Sequence, residues 1–176
     1  KQVSVAGEAA VTSGTPTHGT SMAETILRSL EIVTKGSTSV QILPVDVYGA
    51  SAETTSWNVA RGIQEAVNSG ANVINLSLGG SGDSLVLRDL VKSVTALGIP
   101  IFAAAGNEPV TTPFFPAAYP EVTAVTARGQ QPSATGQVTI APYANYGSFV
   151  DVAAPDASVI YFADRPWYVR GTSAAA

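Results

Sequence analysis

Short apolar segments that alternate with helix-like segments constrain the fold of this chain most strongly. Segments 72–76, 99–104 and 122–125 are almost continuously apolar and have the length of buried strands. Between the first two, apolar residues recur every three or four positions over 85–94, which is the spacing of one helix face. Buried strands separated by amphipathic helices are typical of a parallel sheet covered on both faces. The sequence therefore predicts a three-layer α/β fold with a mostly parallel sheet.

The remaining segments continue this alternation. We expect a short strand at 3–6, a helix from His18 to about Leu30, a strand at 40–47, a helix capped by Ser56 and closed by Gly70, and a hairpin near 159–169. Pro44 lies inside the second of these strands, and because proline has no N–H we expect an irregular strand there.

Composition sets limits on the size and the partners of the chain. The 176 residues, 45% of them hydrophobic, fit one compact domain spanning 1–176. The formal net charge of −4 argues against a nucleic-acid partner, because no basic stripe is available to neutralise phosphates. No apolar run reaches the roughly 20 residues that a membrane-spanning helix needs. The chain has no cysteine, so it can form neither a disulfide nor a thiolate metal site.

Two segments carry groups suited to nucleophilic chemistry. Ser173 follows Gly171 in a tight turn that leads into small residues able to begin a helix, and a helix start offers unpaired N–H groups. His18, the one histidine, stands at another predicted helix start and is suited to general base catalysis near neutral pH. Each segment also has an ordinary interpretation, as a loop-to-helix junction and as a polar helix cap.

Two further segments follow predicted strands directly. Ala103–Asn107 ends in Gly-Asn, where the amide of Asn107 could face a developing oxyanion or could simply fit a turn. Ser77–Gly80 could form one wall of a groove whose backbone pairs with an extended peptide, or could be a helix-entry turn. Because the carboxyl ends of parallel strands meet at one edge of a sheet, we expect these segments to lie close together.

In this order the four segments resemble the motifs of subtilisin-like serine proteases. The matching residues are His18–Thr20, Asn75–Gly80, Ala104–Asn107 and Gly171–Ala174, with supporting similarity at 116–125 and 150–155. The resemblance covers nearly all of the chain. It implies a secreted or extracytoplasmic serine endopeptidase that acts on peptide or protein substrates.

The resemblance also implies a role for each matching residue. His18 would be the general base, Ser173 the nucleophile, and Asn107 the side chain that holds the oxyanion together with the N–H of Ser173. The pocket for the side chain preceding the scissile bond would be lined by Ser77, Leu78, Gly79, Ala105 and Gly106.

One expected residue has no match in the chain. The family has an aspartate at the end of a strand before the histidine, whereas the one acid before His18 is Glu8. We therefore expect that the chain begins just after the aspartate segment and is weak or inactive in isolation. We also expect that an upstream segment or a second chain completes the sheet. Glu8 as a substitute acid is the less favoured alternative.

No cofactor is expected. Calcium is the metal that the resemblance brings into consideration, but Glu31 is the one acid in the segment 30–41, too few oxygens for a calcium cage.

Two other functions remain open at this point. One is a non-catalytic peptide-binding module on the same fold. The other is a nucleotide-binding domain in which Gly79–Gly82 holds a phosphate at a helix start, although no lysine follows at the spacing of a P-loop.

Overall fold

A computed structural model of the chain describes residues 3–7, 14–129 and 138–176. The chain divides into two compact units. One comprises the described residues of Lys1–Gly70 together with Ser158–Val169, and the other those of Ala71–Ala157 together with Arg170–Ala176. The expectation of one domain over 1–176 stays a prediction.

Helices and strands alternate along most of the chain. The helices are α1 (His18–Thr34), α2 (Ser56–Asn68), α3 (Leu85–Ala96) and the short α4 (Thr172–Ala175). The strands are β1 (Val3–Ser4), β2 (Val45–Asp46), β3 (Ile74–Leu76), β4 (Ile101–Ala104), β5 (Thr123–Arg128), β6 (Val152–Pro155), β7 (Ala157–Phe162) and β8 (Arg165–Arg170).

Parallel pairing dominates the sheets. In the second unit, β3, β4, β5 and β6 form one sheet in sequence order, and each neighbouring pair is parallel. In the first unit, β1 and β2 form a separate parallel pair. The predicted parallel α/β organisation is thus confirmed.

The core of the second unit lies along its central strands and α3. Ala103 and Ala124 have no exposed surface, and Val91 on α3 is equally buried. Small and β-branched side chains allow the helix to pack closely on the sheet, so the apolar pattern of the sequence becomes a dry interior. This interior fixes the position of the strands from whose ends the candidate site residues project.

The predicted strand at 40–47 is wrong for most of its length, since only Val45–Asp46 is a strand. Pro44 accepts a hydrogen bond from the N–H of Val3 at 3.0 Å but has no N–H to return. A proline at that position ends the ladder, so the apolar residues before it do not extend the strand.

Two helix boundaries also differ from the prediction. The cap of α2 is Thr55, whose side chain accepts a hydrogen bond from the N–H of Asn58 at 3.1 Å, and Ser56 is the first helical residue. Adjacent hydroxyl residues both fit the cap pattern, so sequence alone could not separate them. Helix α1 continues past Leu30 to Thr34 and ends at Lys35, which has a φ of 53°.

The predicted hairpin near 159–169 is confirmed as β7 and β8. Its turn residues, Ala163 and Asp164, both have positive φ, at 50° and 57°. Positive φ at both central residues matches the right-handed twist of the flanking strands. Over the part of the chain that the structure describes, no helix combines the length and apolar character needed to cross a membrane.

Candidate functional site

Strand ends in the second unit bring several of the predicted site residues together. Ser77–Gly80 follows β3 and Ala105–Asn107 follows β4, which is the neighbouring parallel strand. Arg170–Ala176 belongs to the same unit and carries Ser173 in the first turn of α4. The expectation that these strand ends lie close together is therefore met.

The side chain of Thr172 connects the Ser173 turn to the loop after β4. Its hydroxyl Oγ1 accepts a hydrogen bond from the N–H of Gly106 at 3.2 Å and donates to Oδ1 of Asn107 at 3.1 Å. Its own N–H donates to the same Oδ1 at 3.0 Å. Since Thr172 is fully buried, these bonds are shielded from water. They orient the Asn107 amide, whose Nδ2 is left to donate elsewhere.

Ser173 and Ser77 contact each other directly. Ser77 Oγ donates to the carbonyl oxygen of Ser173 at 2.9 Å, and Ser173 Oγ donates to the carbonyl oxygen of Ser77 at 3.2 Å. Asn75 Nδ2 donates in turn to Ser77 Oγ at 2.9 Å. The nucleophile candidate is thus placed against the end of β3 by a reciprocal pair of bonds.

The expected pocket residues occupy two turns of the second unit. Leu78 and Gly79 remain partly or fully exposed, whereas Ala105 and Gly106 are buried. Ala105 continues the sheet through its N–H, which donates to the carbonyl of Val125 at 2.9 Å. The whole residue, backbone included, has no exposed surface.

Of the segment Ser77–Gly80, for which pairing with an extended peptide was one interpretation, the backbone of Gly80 is already paired within the chain. Its N–H donates to the carbonyl of Phe115 at 2.9 Å, and its carbonyl accepts from the N–H of Phe115 at 2.7 Å. Phe115 of the same chain therefore occupies the position at which the backbone of a peptide would pair with Gly80. The same contact removes one N–H that the phosphate-binding interpretation of Gly79–Gly82 requires.

Asn145 supports the Asn107 loop from a second side, although Asn145 belongs to none of the motif segments found in the sequence. Its Oδ1 accepts from the N–H of Glu108 at 2.8 Å, and its N–H donates to the carbonyl of Gly106 at 2.9 Å. Asn145 is fully buried, and its Nδ2 has no hydrogen-bond partner. A buried residue that bonds to both sides of Asn107 restricts the positions which that loop can adopt.

A charged cluster holds the chain just before Ser173. Arg170 Nε donates to Oδ2 of the buried Asp156 at 2.8 Å, and the hydroxyl of Tyr143 donates to the same oxygen. The Arg170 guanidinium lies 4.7 Å from the centre of the Tyr143 ring. The carbonyl of Asp156 also accepts from the N–H of Gly171 at 3.0 Å, so the cluster fixes the start of the turn.

This cluster changes the ionisation of its members. Burial of Asp156 disfavours its charge, but the hydrogen bonds from Arg170 and Tyr143 and the guanidinium charge outweigh burial and lower its pKa. Burial of Tyr143, its hydrogen bond to Asp156 and the nearby carboxylate charge raise the pKa of its phenol to about 12. Asp156 and Arg170 flank the predicted hairpin, but their opposite charges do not by themselves show that the two side chains meet.

His18 lies in the first unit and is the first residue of α1. The helix start is held by Thr17, whose Oγ1 accepts from the N–H of Thr20 at 3.1 Å. The carbonyl of Thr17 accepts from the N–H and the hydroxyl of Ser21, at 2.9 and 3.0 Å. His18 is exposed. Glu8, the alternative acid, lies outside the described residues.

In a chain without cysteine, acidic and histidine side chains are the groups that would form a metal site. Within residues 3–7, 14–129 and 138–176, no group of three or more such side chains could hold a metal ion. The expectation of no cofactor stays a prediction.

Comparison with known proteins places this arrangement in a family. A model of the subtilase family, Peptidase S8, matches residues 1–176. The chain belongs to the subtilase family. Alkaline elastase YaB of Bacillus sp. (strain YaB) is 34% identical over 157 residues, which are 88% of this chain and 40% of that protein. Subtilisin Savinase of Lederbergia lenta is 34% identical over 144 residues, which are 81% of this chain and 51% of that protein.

Solved structures agree with the fold of this subtilase chain. A cold-adapted subtilisin-like serine proteinase superposes with a TM-score of 0.67 at 27% identity, over 78% of this chain and 50% of that one. The prenylagaramide maturation protease PagA gives a TM-score of 0.66 at 25% identity, over 76% and 50%. The predicted subtilisin-like α/β fold is confirmed. The chain spans about half the length of these relatives, or less.

Proposed function

We propose that this chain supplies the histidine, the nucleophile and the oxyanion site of a serine endopeptidase of the subtilisin type. The observation that carries the proposal is the attachment of the Ser173 turn to Asn107 through Thr172, at 3.0 and 3.1 Å. It gives the Asn107 amide a fixed direction beside the turn that carries Ser173, and donors fixed in advance are what stabilisation of a tetrahedral intermediate requires. Family membership supports the same reaction.

In the proposed reaction, Ser173 Oγ attacks a peptide carbonyl carbon while His18 accepts the hydroxyl proton. The carbonyl oxygen becomes an oxyanion that accepts hydrogen bonds from Asn107 Nδ2 and the N–H of Ser173. His18 then donates the proton to the leaving amine, and the C–N bond breaks. A water molecule then attacks the acyl carbon while His18 accepts its proton. The ester bond to Ser173 Oγ breaks, the acid leaves, and His18 returns the proton to Oγ.

The resting hydroxyl must first leave its partner. Ser173 Oγ donates to the carbonyl of Ser77 at 3.2 Å, and that proton must turn toward a base before attack. This distance is long for a hydroxyl donor and such bonds are weak, so the reorientation adds little to the barrier. The neighbouring residues Leu78, Gly79, Ala105 and Gly106 would then hold the substrate residue that precedes the scissile bond.

The same Ser77 contact favours the second candidate function, a peptide-binding module without catalysis. A hydroxyl that keeps donating its hydrogen bond to a backbone carbonyl is not activated for attack. Chemistry at Ser173 separates the two candidates, because both predict a peptide-binding groove and only one predicts a nucleophile.

Completion of the sheet is part of the proposal. Among the described strands β3 pairs with β4 alone, which leaves its other edge open to a further strand. We propose that an additional segment or a second chain pairs there and supplies the aspartate that orients His18. We further propose that the protein acts outside the cytoplasm on peptide or protein substrates.

Labelling with a fluorophosphonate tests the nucleophile in the complete natural gene product that contains these residues. We expect covalent labelling that Ser173→Ala abolishes. Ser93→Ala is the matched control, because Ser93 is an exposed serine on α3 that bonds the carbonyl of Asp89. Labelling that survives Ser173→Ala would exclude Ser173 as the nucleophile. No labelling of the wild-type protein would favour the binding module.

The isolated chain provides a second test. Residues 1–176 alone should hydrolyse peptides far more slowly than the complete gene product, because His18 would lack its aspartate. In subtilisin itself, loss of the aspartate lowers turnover by a factor on the order of 10⁴, and we expect a loss of similar size. Equal Ser173-dependent activity of the two proteins would refute the proposed need for completion.

A further inference from the structure

The ring of Phe114 lies between the two glycine turns that we assign to the substrate pocket. A Cβ atom built on Gly79 would lie 2.4 Å from Cε1 and 2.7 Å from Cδ1 of Phe114. A Cβ atom built on Gly106 would lie 3.2 Å from Cγ of the same ring. The ring therefore occupies the space that both glycines leave open.

Backbone hydrogen bonds on both sides hold Phe114 in this position. Phe115 exchanges two bonds with Gly80, at 2.9 and 2.7 Å, and the carbonyl of Phe114 accepts from the N–H of Ala118 at 2.8 Å. The side chain is half-buried, so one part of the ring faces protein and another part remains accessible. A ring attached to a fixed backbone acts as a wall, because few rotamers of a half-buried phenylalanine avoid its neighbours.

A polar group beside the ring, at Gly106, carries no charge. The atom nearest to a Cβ on Gly106 is Nδ2 of the buried Asn145, at 2.4 Å, and an amide carries no charge. This amide therefore offers no opposite charge to a charged substrate side chain. An aromatic substrate side chain would need the volume that Phe114 already fills, and close-packed interiors do not hold both.

We propose that Phe114 fills the inner end of this pocket and limits the residue preceding the scissile bond to small, neutral side chains such as Ala, Gly and Ser. The proposal rests on the proposed function, since it names the substrate class of the same groove. Phe114 acts by exclusion, so its removal should improve large substrates without creating a new attractive contact.

A peptide series that differs only at the residue before the scissile bond, with Ala, Leu or Phe, tests the proposal in the complete natural gene product. Wild-type protein should prefer the Ala peptide in kcat/KM. Phe114→Ala should raise the ratio of the Phe to the Ala peptide about 10- to 200-fold, the range for filling or emptying an apolar pocket. Should Phe114→Ala not fold, Phe114→Leu should raise the same ratio by a smaller factor.

Phe115→Ala is the matched control, because it removes an identical ring one residue away. The Phe115 ring packs on Tyr119 with centroids 4.9 Å apart, so its loss should leave the substrate ratio unchanged. Equal hydrolysis of the Phe and Ala peptides by the wild type would overturn the proposal. An unchanged ratio in both Phe114 variants would also overturn it.

Binding distinguishes a failure of this inference from a failure of the protease proposal. If no peptide shows Ser173-dependent hydrolysis, the protease proposal fails, and calorimetric titration of the same peptides decides the pocket. Tighter binding of the Ala peptide, reversed by Phe114→Ala, supports the proposed exclusion. Equal binding of all three peptides refutes it.

Discussion

The turn that carries Ser173 and the helix start that carries His18 are held by different kinds of contact. Thr172 bonds to residues 65 and 66 positions away in the chain, and Ser173 bonds to a residue 96 positions away. The start of α1 is held by Thr17, through bonds to residues three and four positions away. The proposed nucleophile therefore depends on the folded second unit, whereas the helix that carries the proposed base depends on local capping.

Among the substitutions that test this contrast, the largest effect should come from Asn107, the residue shared by the proposed oxyanion site and the Thr172 attachment. Asn107→Ala should lower turnover by roughly 100- to 1,000-fold, the loss measured in subtilisin itself when its oxyanion-site asparagine is removed. Asn107→Asp keeps an oxygen to accept from Thr172 but loses the Nδ2 donor. Steady-state kinetics and urea unfolding of both variants separate the two roles.

We expect Asn107→Asp to lose turnover while retaining more stability than Asn107→Ala. If both variants keep wild-type turnover, Asn107 does not stabilise the oxyanion. If both lose equal stability, the acceptor role of its Oδ1 is the part that fails.

Thr172 tests the long-range attachment by itself. Thr172→Val keeps the shape of the side chain but leaves the N–H of Gly106 and Oδ1 of Asn107 without this partner. Because the site is fully buried, the free energy of unfolding should fall by about 1–3 kcal/mol in urea titration. Thr172→Ser, which retains the hydroxyl, should recover most of the loss. A Val variant as stable as the Ser variant would show that the attachment is not needed.

The Asp156 cluster should make the stability of the second unit depend on acid. The pKa of the Asp156 carboxyl is lowered in the folded state. The stability that this carboxylate contributes is therefore present above its unfolded-state pKa and is lost as pH falls through its folded-state pKa. Asp156→Asn should be less stable near pH 7 and should lose less stability on acidification. Thermal unfolding followed from neutral to strongly acidic pH measures this, and parallel wild-type and mutant curves would contradict it.

Tyr143 should make the stability of the second unit fall as pH rises in the alkaline range. Its pKa is raised to about 12 in the folded state. The stability that this phenol contributes is therefore complete below its unfolded-state pKa of about 10 and is lost as pH rises through about 12. Tyr143→Phe should lose less stability than the wild type over that interval in unfolding measurements. An equal loss in the two proteins would mean that the fold does not raise the pKa of this phenol.

The smallest effect is expected at the local cap. Thr17→Ala should cost about 1 kcal/mol, the usual value for a lost helix cap, and Thr55→Ala at the start of α2 is its matched control. Similar losses at the two caps would support a purely local role. A loss at Thr17 as large as that of Thr172→Val would remove the contrast between the two regions.

Local patterns predicted most elements but not all of their bounds. The apolar periodicity of 85–94 predicted α3, and the segments 72–76 and 99–104 predicted β3 and β4. The strand at 40–47 failed because one missing N–H at Pro44 outweighs the apolar pattern around it. Strand β6 was not predicted as a strand, since its pairing with β5 supplies what its own sequence does not signal.

The sequence by itself determined the alternation of strands and helices, the family, and the residue types available for chemistry, because these follow from periodicity and from motif order. The tertiary structure alone decided that Thr172 orients Asn107, that Asp156 pairs with Arg170 beside the serine turn, and that Phe114 lies between Gly79 and Gly106. The physical reason is distance along the chain. The first two of these contacts join residues 65 and 14 positions apart. No local sequence pattern encodes which distant residues come into contact when the chain folds.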